Sequence, residues 1–168
     1  TRYSTTGGAH WSNAQPVVHH GTARTVALGH NGNLVDVSGL RDELVGAGVR
    51  LGTTSDTEVI AALLARDPAA LPEAVAATMG RLHGAYSVVA IADGTLVAFR
   101  DPLGIRPLTL GRLGDDWVVA SETCALDLVG ADVVRDVLPG EVVWVDDDGC
   151  QSAQAVPRGR EAACIFEH

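Results

Sequence analysis

Apolar residues recur at helical spacing over one part of the chain and alternate with polar residues over another. Between Ser38 and Gly48, and again after Ser55, apolar positions fall three or four residues apart, which predicts two amphipathic helices. Ser38 suits the capping position of the first helix, and residues 55–58 (Ser-Asp-Thr-Glu) have the form of a capping box for the second. A third helix is predicted with Pro72 in its first turn. Its apolar positions are Leu71, Val75, Met79 and Leu82.

After Gly84 the spacing changes to the alternation of β-strands. The predicted strands cover residues 85–92, 95–99, 108–110, 117–120 and 141–145, with a helical turn over 125–129. Asp93-Gly94 and Gly114-Asp115 suit hairpin turns between them. An earlier strand over 26–28 leads into Asn31-Gly32, a pair typical of a sharp turn. Helices followed by hairpins favour an α+β fold, with helical layers packed on antiparallel sheets.

Composition narrows the class of protein. At 168 residues the chain has the length of one domain, and 46% apolar with 20% charged residues is typical of a globular fold. A net charge of −9 without a basic cluster argues against nucleic acid or an acidic membrane as a partner. No apolar run approaches the 18 residues of a membrane span. Because Cys124, Cys150 and Cys164 are too few and too scattered for a disulfide framework, we expect a cytoplasmic protein.

The stretch His30-Asn31-Gly32-Asn33-Leu34 carries the candidate chemistry. At a sharp turn the Asn31 side-chain N–H and the Gly32 backbone N–H can point to one spot, as the two donors of an oxyanion hole must. For an isolated Asn-Gly pair, an ordinary hairpin turn is the simpler interpretation. Three further segments accompany this one. They are 2–7 (Arg-Tyr-Ser-Thr-Thr-Gly), 54–58 (Thr-Ser-Asp-Thr-Glu) and 100–108 (Arg-Asp-Pro-Leu-Gly-Ile-Arg-Pro-Leu).

Together, these four segments resemble the glutaminase domain of the amidophosphoribosyltransferase family, which consists of class II, N-terminal-nucleophile glutamine amidotransferases. The resemblance covers nearly the whole chain and implies a four-layer αββα sandwich. It assigns residues 1–150 to a partial amidotransferase domain and residues 151–168 to a linker toward an absent phosphoribosyltransferase domain. The family's nucleophile is a cysteine at the mature N-terminus, whereas this chain begins with Thr1. We therefore expect an N-terminally incomplete domain that is inactive alone.

The resemblance also assigns roles to individual residues. Asn31 and Gly32 correspond to the oxyanion hole. Arg2 corresponds to the residue that binds the α-carboxylate of glutamine, Thr5 lines the same pocket, and Asp56 holds the α-ammonium group. In this family the α-amino group of the nucleophilic cysteine acts as the base, so no catalytic histidine is required. We accordingly interpret the histidines of the chain as surface or hydrogen-bonding residues. They include His10, His19, His20, His30 and His83.

Cofactors and partners follow from the same resemblance. One branch of the family binds a [4Fe–4S] cluster, and Cys164 falls at one of its four ligand positions. Because the other three ligands come from the synthase domain, this chain alone cannot hold the cluster. We expect no cofactor in this chain. In the full-length parent we expect Mg²⁺ and, in the branch with the cluster, the [4Fe–4S] cluster as well. That parent is expected to be a homo-oligomer that transfers ammonia from glutamine to phosphoribosyl pyrophosphate, giving phosphoribosylamine in the first step of de novo purine biosynthesis.

Three alternatives remain open at this stage. Glucosamine-6-phosphate synthase shares a similar arginine motif, His-Asn-Gly and Asp-Thr-Glu, but continues with Ile-Ile instead of Asn33-Leu34 and lacks the pattern at 101–108. Asparagine synthetase has a pattern like 101–108 but differs around Asn31. The chain could also be a non-catalytic module that binds glutamine. Glutamine binding without release of ammonia would identify that module.

Overall fold

The computed structural model describes residues 11–160, which form four α-helices and nine β-strands after a 3₁₀ turn at Trp11–Asn13. The helices are α1 Val37–Gly46, α2 Asp56–Arg66, α3 Leu71–Met79 and α4 Thr123–Val129. The strands are β1 Val17–His20, β2 Thr25–Leu34, β3 Gly84–Ala92, β4 Thr95–Arg100, β5 Thr109–Leu113, β6 Asp116–Ala120, β7 Asp132–Asp136, β8 Glu141–Asp146 and β9 Gly149–Gln154. The predictions for Arg2, Thr5 and Cys164 lie outside the described residues.

Two antiparallel sheets form the centre of the fold. Six strands pair in the order β1-β2-β3-β4-β8-β9, and three pair in the order β6-β5-β7. Side chains alternate across the larger sheet, because successive residues of a strand point to opposite faces. In β4, Val97 and Phe99 join the larger hydrophobic cluster with the helices, whereas Ala98 joins a smaller cluster with residues of the second sheet. Val142 and Val143 of β8 divide in the same way.

Helices cover the outer face of each sheet. α2 packs on β1 and β2 with α1 and α3 beside it, and its residues 59–65 are all buried. On the other side α4 packs against the three-stranded sheet, where fully buried Leu126 lies against Gly111 of β5. The order of layers is therefore helices, sheet, sheet, helix. This confirms the predicted α+β fold and its four-layer arrangement.

Local signals account for most helix ends. The Ser55 hydroxyl accepts a hydrogen bond from the Thr57 N–H, which confirms Ser55 as the cap of α2. Glu58 does not complete the capping box; its carboxylate accepts the N–H groups of Gly52 and Thr53 at 2.8 and 2.7 Å. The capping role predicted for Ser38 is wrong, because α1 begins at Val37 and its N-cap is Asp36, two residues before Ser38. Asp36 has a left-handed backbone and makes no side-chain cap hydrogen bond.

The sharp turn predicted at Asn31-Gly32 is also wrong. β2 continues through both residues, with Asn31 opposite Ser87, Gly32 opposite Tyr86 and pairing extended to Leu34. β3 offers a partner along this whole length, so cross-strand pairing outweighs the local preference of Asn-Gly for a turn. The positive φ of Gly32, 141°, is accommodated within the strand.

Pairing also extends the sheets beyond the predicted strands. β1, β7 and β9 were not predicted from the pattern of apolar residues. β9 consists of Gly149, Cys150, Gln151, Ser152, Ala153 and Gln154, and it pairs with β8 along its full length. Residues 151–154 therefore belong to the six-stranded sheet and not to a linker. The alternation of apolar residues is missing here because β9 is an edge strand whose residues 151–154 are exposed.

Candidate functional site

Asn31 lies exposed on β2, next to the second sheet. Its side-chain amide donates a long hydrogen bond of 3.4 Å to the hydroxyl of Ser121, the residue that follows β6. The neighbouring His30 contacts α2 on the other face of the sheet, as the alternation of a strand requires. Asn31 is thus an accessible amide at the side of the sheet that faces β6.

Gly32 allows an unusually close approach of two strands. A Cβ atom added to Gly32 would lie 2.0 Å from the carbonyl oxygen of Ala85 on β3. No side chain fits at that distance, so glycine is required here on steric grounds as well as for its positive φ. The direction of the Gly32 N–H is therefore set by the packing of β2 against β3.

Asp56 is a buried carboxylate at the first turn of α2. Asp56 is 3% exposed. Its two carboxylate oxygens accept the backbone N–H groups of Leu34 and Thr57, each at 3.0 Å. Burial by itself raises the pKa of Asp56, but His30 and these two N–H groups outweigh it and lower the pKa below its usual value. Asp56 is accordingly a negative charge held beside the end of β2.

His30 completes a small network around this carboxylate. Its Nδ1 atom lies 3.7 Å from Oδ1 of Asp56 and 3.4 Å from the hydroxyl of Thr57, and its side chain is 1% exposed. Gln15 connects His30 with Thr57. Its Oε1 atom accepts the His30 backbone N–H at 2.7 Å, and its Nε2 atom donates to the Thr57 hydroxyl at 3.2 Å. The network joins the chain before β1, strand β2 and helix α2.

The loop before α2 is held by side chains from three directions. Glu58 binds its N–H groups as described above, and Arg41 of α1 donates to the carbonyl groups of Thr53 and Ser55, both at 3.0 Å. Buried Asn13 accepts the Thr54 N–H at 3.1 Å and donates to the Thr54 hydroxyl at the same distance. This loop therefore gives Asp56 a firmly positioned helix start.

The segment 100–108 folds into a loop braced by its own residues. Asp101 is fully buried, and its carboxylate accepts the N–H groups of Tyr86 and Leu103 at 3.2 and 2.9 Å. The Arg100 guanidinium donates to the carbonyl groups of Gly104 and Val137, both at 2.8 Å. These contacts give the motif a structural part, because they hold the loop between β4 and β5 in place.

The structure brings some of the predicted site residues close together. Asn31, Gly32 and Asp56 all lie at or beside the C-terminal half of β2. Glutamine carries its carboxamide and its α-ammonium group at opposite ends, so the groups that recognise them do not have to touch. Within residues 11–160, no group of three or more metal-ligating side chains occurs, and no helix has the length and apolar character to cross a bilayer.

Comparison with known proteins identifies the family. Residues 4–128 match the family model described as a glutamine amidotransferase domain, so the chain belongs to the glutamine amidotransferase domain family. Within that class, it is similar to amidophosphoribosyltransferases. It is 46% identical over 178 residues to the Mycobacterium tuberculosis H37Rv enzyme and 38% identical over 169 residues to the Bacillus subtilis enzyme. Each alignment covers 99% of this chain but only 33% and 36% of the relative, so the chain spans about a third of these enzymes.

Solved structures give the same result. The B. subtilis glutamine phosphoribosylpyrophosphate amidotransferase, complexed with ADP and GMP, superposes with a TM-score of 0.88 at 36% identity. That match covers 95% of this chain and 36% of the solved chain. A class-II glutamine amidotransferase domain protein from Silicibacter pomeroyi superposes with a TM-score of 0.54 at 21% identity, over 79% of this chain and 67% of that one, and shows the fold alone.

Sequence reasoning did not single out the network of Gln15, His30 and Thr57. A signal was available for His30: it follows Val26 and Leu28 at intervals of two, and both of those are fully buried. Extending the strand beyond Leu28 places His30 on the same face, toward α2. The expected turn at Asn31-Gly32 concealed this continuation. The contacts of Gln15 with β2 and α2 join positions 15 and 42 residues apart, and no local pattern reports such pairs.

Proposed function

We propose that the chain is the glutaminase part of an amidophosphoribosyltransferase, which releases ammonia from glutamine for transfer to phosphoribosyl pyrophosphate. The observation that carries this proposal is the alignment of 99% of the chain with enzymes of that name. The buried, negatively charged Asp56 and the accessible amide of Asn31 support it from the geometry. The product would be phosphoribosylamine, formed in the first step of de novo purine biosynthesis.

In this proposal each part of glutamine has its own partner. Asp56 binds the α-ammonium group, and Arg2 and Thr5 bind the α-carboxylate. A cysteine thiolate attacks the carboxamide carbon, and the side-chain amide of Asn31 with the N–H of Gly32 stabilises the oxyanion that develops there. Ammonia then leaves, and water hydrolyses the thioester to glutamate.

We propose that the nucleophile is a cysteine other than the three cysteines of the 168-residue sequence. Cys124 and Cys150 are free thiols on α4 and β9, and the family resemblance gives neither a catalytic role. We therefore propose that a polypeptide of this sequence alone releases no ammonia. Ammonia released above the buffer background would contradict this and would require another nucleophile.

The remaining assignments extend the proposal to the whole enzyme. Its phosphoribosyltransferase domain, its homo-oligomeric state, its Mg²⁺ and its cytoplasmic location are proposed from the family resemblance and not from residues 11–160. The residues in that range do not form a metal centre, and Cys164, the proposed cluster ligand, lies outside it.

The test uses the full-length protein that contains this chain, with a cysteine at its mature N-terminus. Glutamate and phosphoribosylamine are measured after addition of glutamine and phosphoribosyl pyrophosphate. We expect both products in equal amounts. Glutamine consumption without phosphoribosylamine would point to another class II amidotransferase, and tight glutamine binding without turnover would point to a binding module.

A further inference from the structure

The His30 imidazole is a polar side chain at a buried position where packing alone would favour an apolar one. It lies on the buried face of β2, two residues after fully buried Leu28, and its ring is 1% exposed. Its Nε2 atom is buried and has no hydrogen-bond partner among residues 11–160. Leaving a buried polar atom without a partner destabilises the folded state. A leucine would fill this face without that cost.

The other ring nitrogen faces the start of α2. Nδ1 lies 3.7 Å from Oδ1 of Asp56 and 3.4 Å from the Thr57 hydroxyl. A carboxylate can only accept hydrogen bonds, so a proton on Nδ1 is the favourable arrangement opposite Asp56. The polar contacts of the ring therefore serve the two residues at the N-terminus of α2.

The ring is itself held in place. Gln15 accepts the backbone N–H of His30 and donates to the Thr57 hydroxyl, so the backbone of β2 and the hydroxyl beside the ring share one anchor. The backbone N–H groups of Leu34 and Thr57 approach the two Asp56 oxygens at 3.0 Å. The carboxylate is thus oriented by two N–H groups and an imidazole.

We propose that His30 is a positioning residue, which holds the Asp56 carboxylate in place for the α-ammonium group of glutamine. This inference rests on the proposed function, because it assumes that Asp56 binds that group. It assigns His30 no contact with glutamine and no proton transfer. Losing His30 should therefore weaken recognition of the ammonium end of the substrate and leave the chemical step nearly unchanged.

Kinetics of the full-length protein test the proposal with two substrates. They are glutamine and glutaramate, which is glutamine without its α-amino group. For His30→Leu we expect the KM for glutamine to rise about tenfold, because the Asp56 carboxylate loses the imidazole that lies 3.7 Å from it, with kcat within about twofold. The kcat/KM for glutaramate should not change. His30→Asn should restore part of the loss, because its amide can donate from a position near Nδ1.

His19 offers a matched control. It is also a buried histidine, and its Nδ1 atom also lies 3.7 Å from a carboxylate of α2, that of Glu58. His19→Asn should lower the melting temperature and leave both KM values unchanged. If His30→Leu reduces activity toward glutamine and glutaramate equally, or changes neither, His30 only supports the fold and the proposal is overturned.

An NMR titration separates this inference from the proposed function. The ¹³C signal of the Asp56 carboxyl group is followed with pH in the 168-residue chain, with and without His30→Leu. Removing the imidazole should move the titration to higher pH, and an unmoved titration overturns the proposal whatever the kinetics show. If the wild-type enzyme releases no ammonia but the titration moves, the proposed function is wrong, while the coupling of His30 to Asp56 stands.

Discussion

The close contact at Gly32 gives the sharpest structural prediction. In Gly32→Ala, the new methyl group would lie 2.0 Å from the carbonyl oxygen of Ala85, where the optimal separation of such atoms is about 3.5 Å. One of the two central strands must move by roughly 1 Å or more. The backbone is also unfavourable for alanine, because φ is 141°.

The magnitude follows from these two effects. Backbone strain of this kind costs about 1–3 kcal/mol. Overpacking in a tight core costs about 1–3 kcal/mol more. We therefore expect a loss of roughly 4 kcal/mol in the free energy of unfolding. For a chain of this size, each kcal/mol lowers the melting temperature by about 2–4 °C, so the expected decrease is roughly 8–16 °C.

Gly29 on the same strand provides the control. A Cβ atom added there meets the Gln15 Oε1 atom at 3.8 Å and the Val89 carbonyl oxygen at 3.9 Å, which are ordinary contacts. Gly29→Ala should change the melting temperature by no more than about 3 °C.

Thermal melting of the 168-residue chain, followed by circular dichroism at pH 7, compares both variants with the wild type. If Gly32→Ala melts within about 3 °C of Gly29→Ala, the strands are not in contact at Gly32. The original expectation of a turn at Asn31-Gly32 would then be restored.

Three further predictions concern single side chains. In the full-length enzyme, Asn31→Ala should lower kcat by roughly 10²-fold through loss of one oxyanion donor, and an unchanged kcat would mean that Asn31 has only a structural part. Arg2→Ala and Asp56→Ala should each lower kcat/KM for glutamine by a factor of about 10² to 10³, whereas synthesis from free ammonia should survive. Equal loss of the two activities would show that Arg2 and Asp56 maintain the fold instead. Glu141 is buried, and although burial raises its pKa, hydrogen bonds from Arg135 and from the Leu138 N–H lower it below the usual value. Its contribution to stability is therefore present above the pKa of the unfolded chain and is lost as pH falls through the lower folded-state value. Glu141→Gln should lower the melting temperature by about 4–8 °C at pH 7, and the difference should narrow toward pH 3; a constant difference would contradict this.

Local sequence determined much of the fold. Ser55 was predicted to cap α2, and it does so, because the hydrogen bond that it makes involves residues only two positions apart. The Asp93-Gly94 hairpin was equally recognisable, since both residues adopt the positive φ that such a turn requires, 53° and 78°. The pairing of β3 with β4 follows from this turn, because it brings the two strands side by side. The motifs at residues 2–7, 30–34, 54–58 and 100–108 likewise indicated the family that the comparisons confirm.

Tertiary structure decided the details of the candidate site. Asn31-Gly32 has the local preference of a turn, but pairing with β3 keeps it in a strand. The same pairing places His30 toward α2, where it meets a carboxylate 26 residues further along the chain. β9 lacks an apolar pattern along its exposed residues 151–154, and it becomes a strand because β8 offers an edge. Turns and caps depend on neighbours along the sequence, whereas these features depend on contacts between distant segments, which exist only after the sheets and helices have packed.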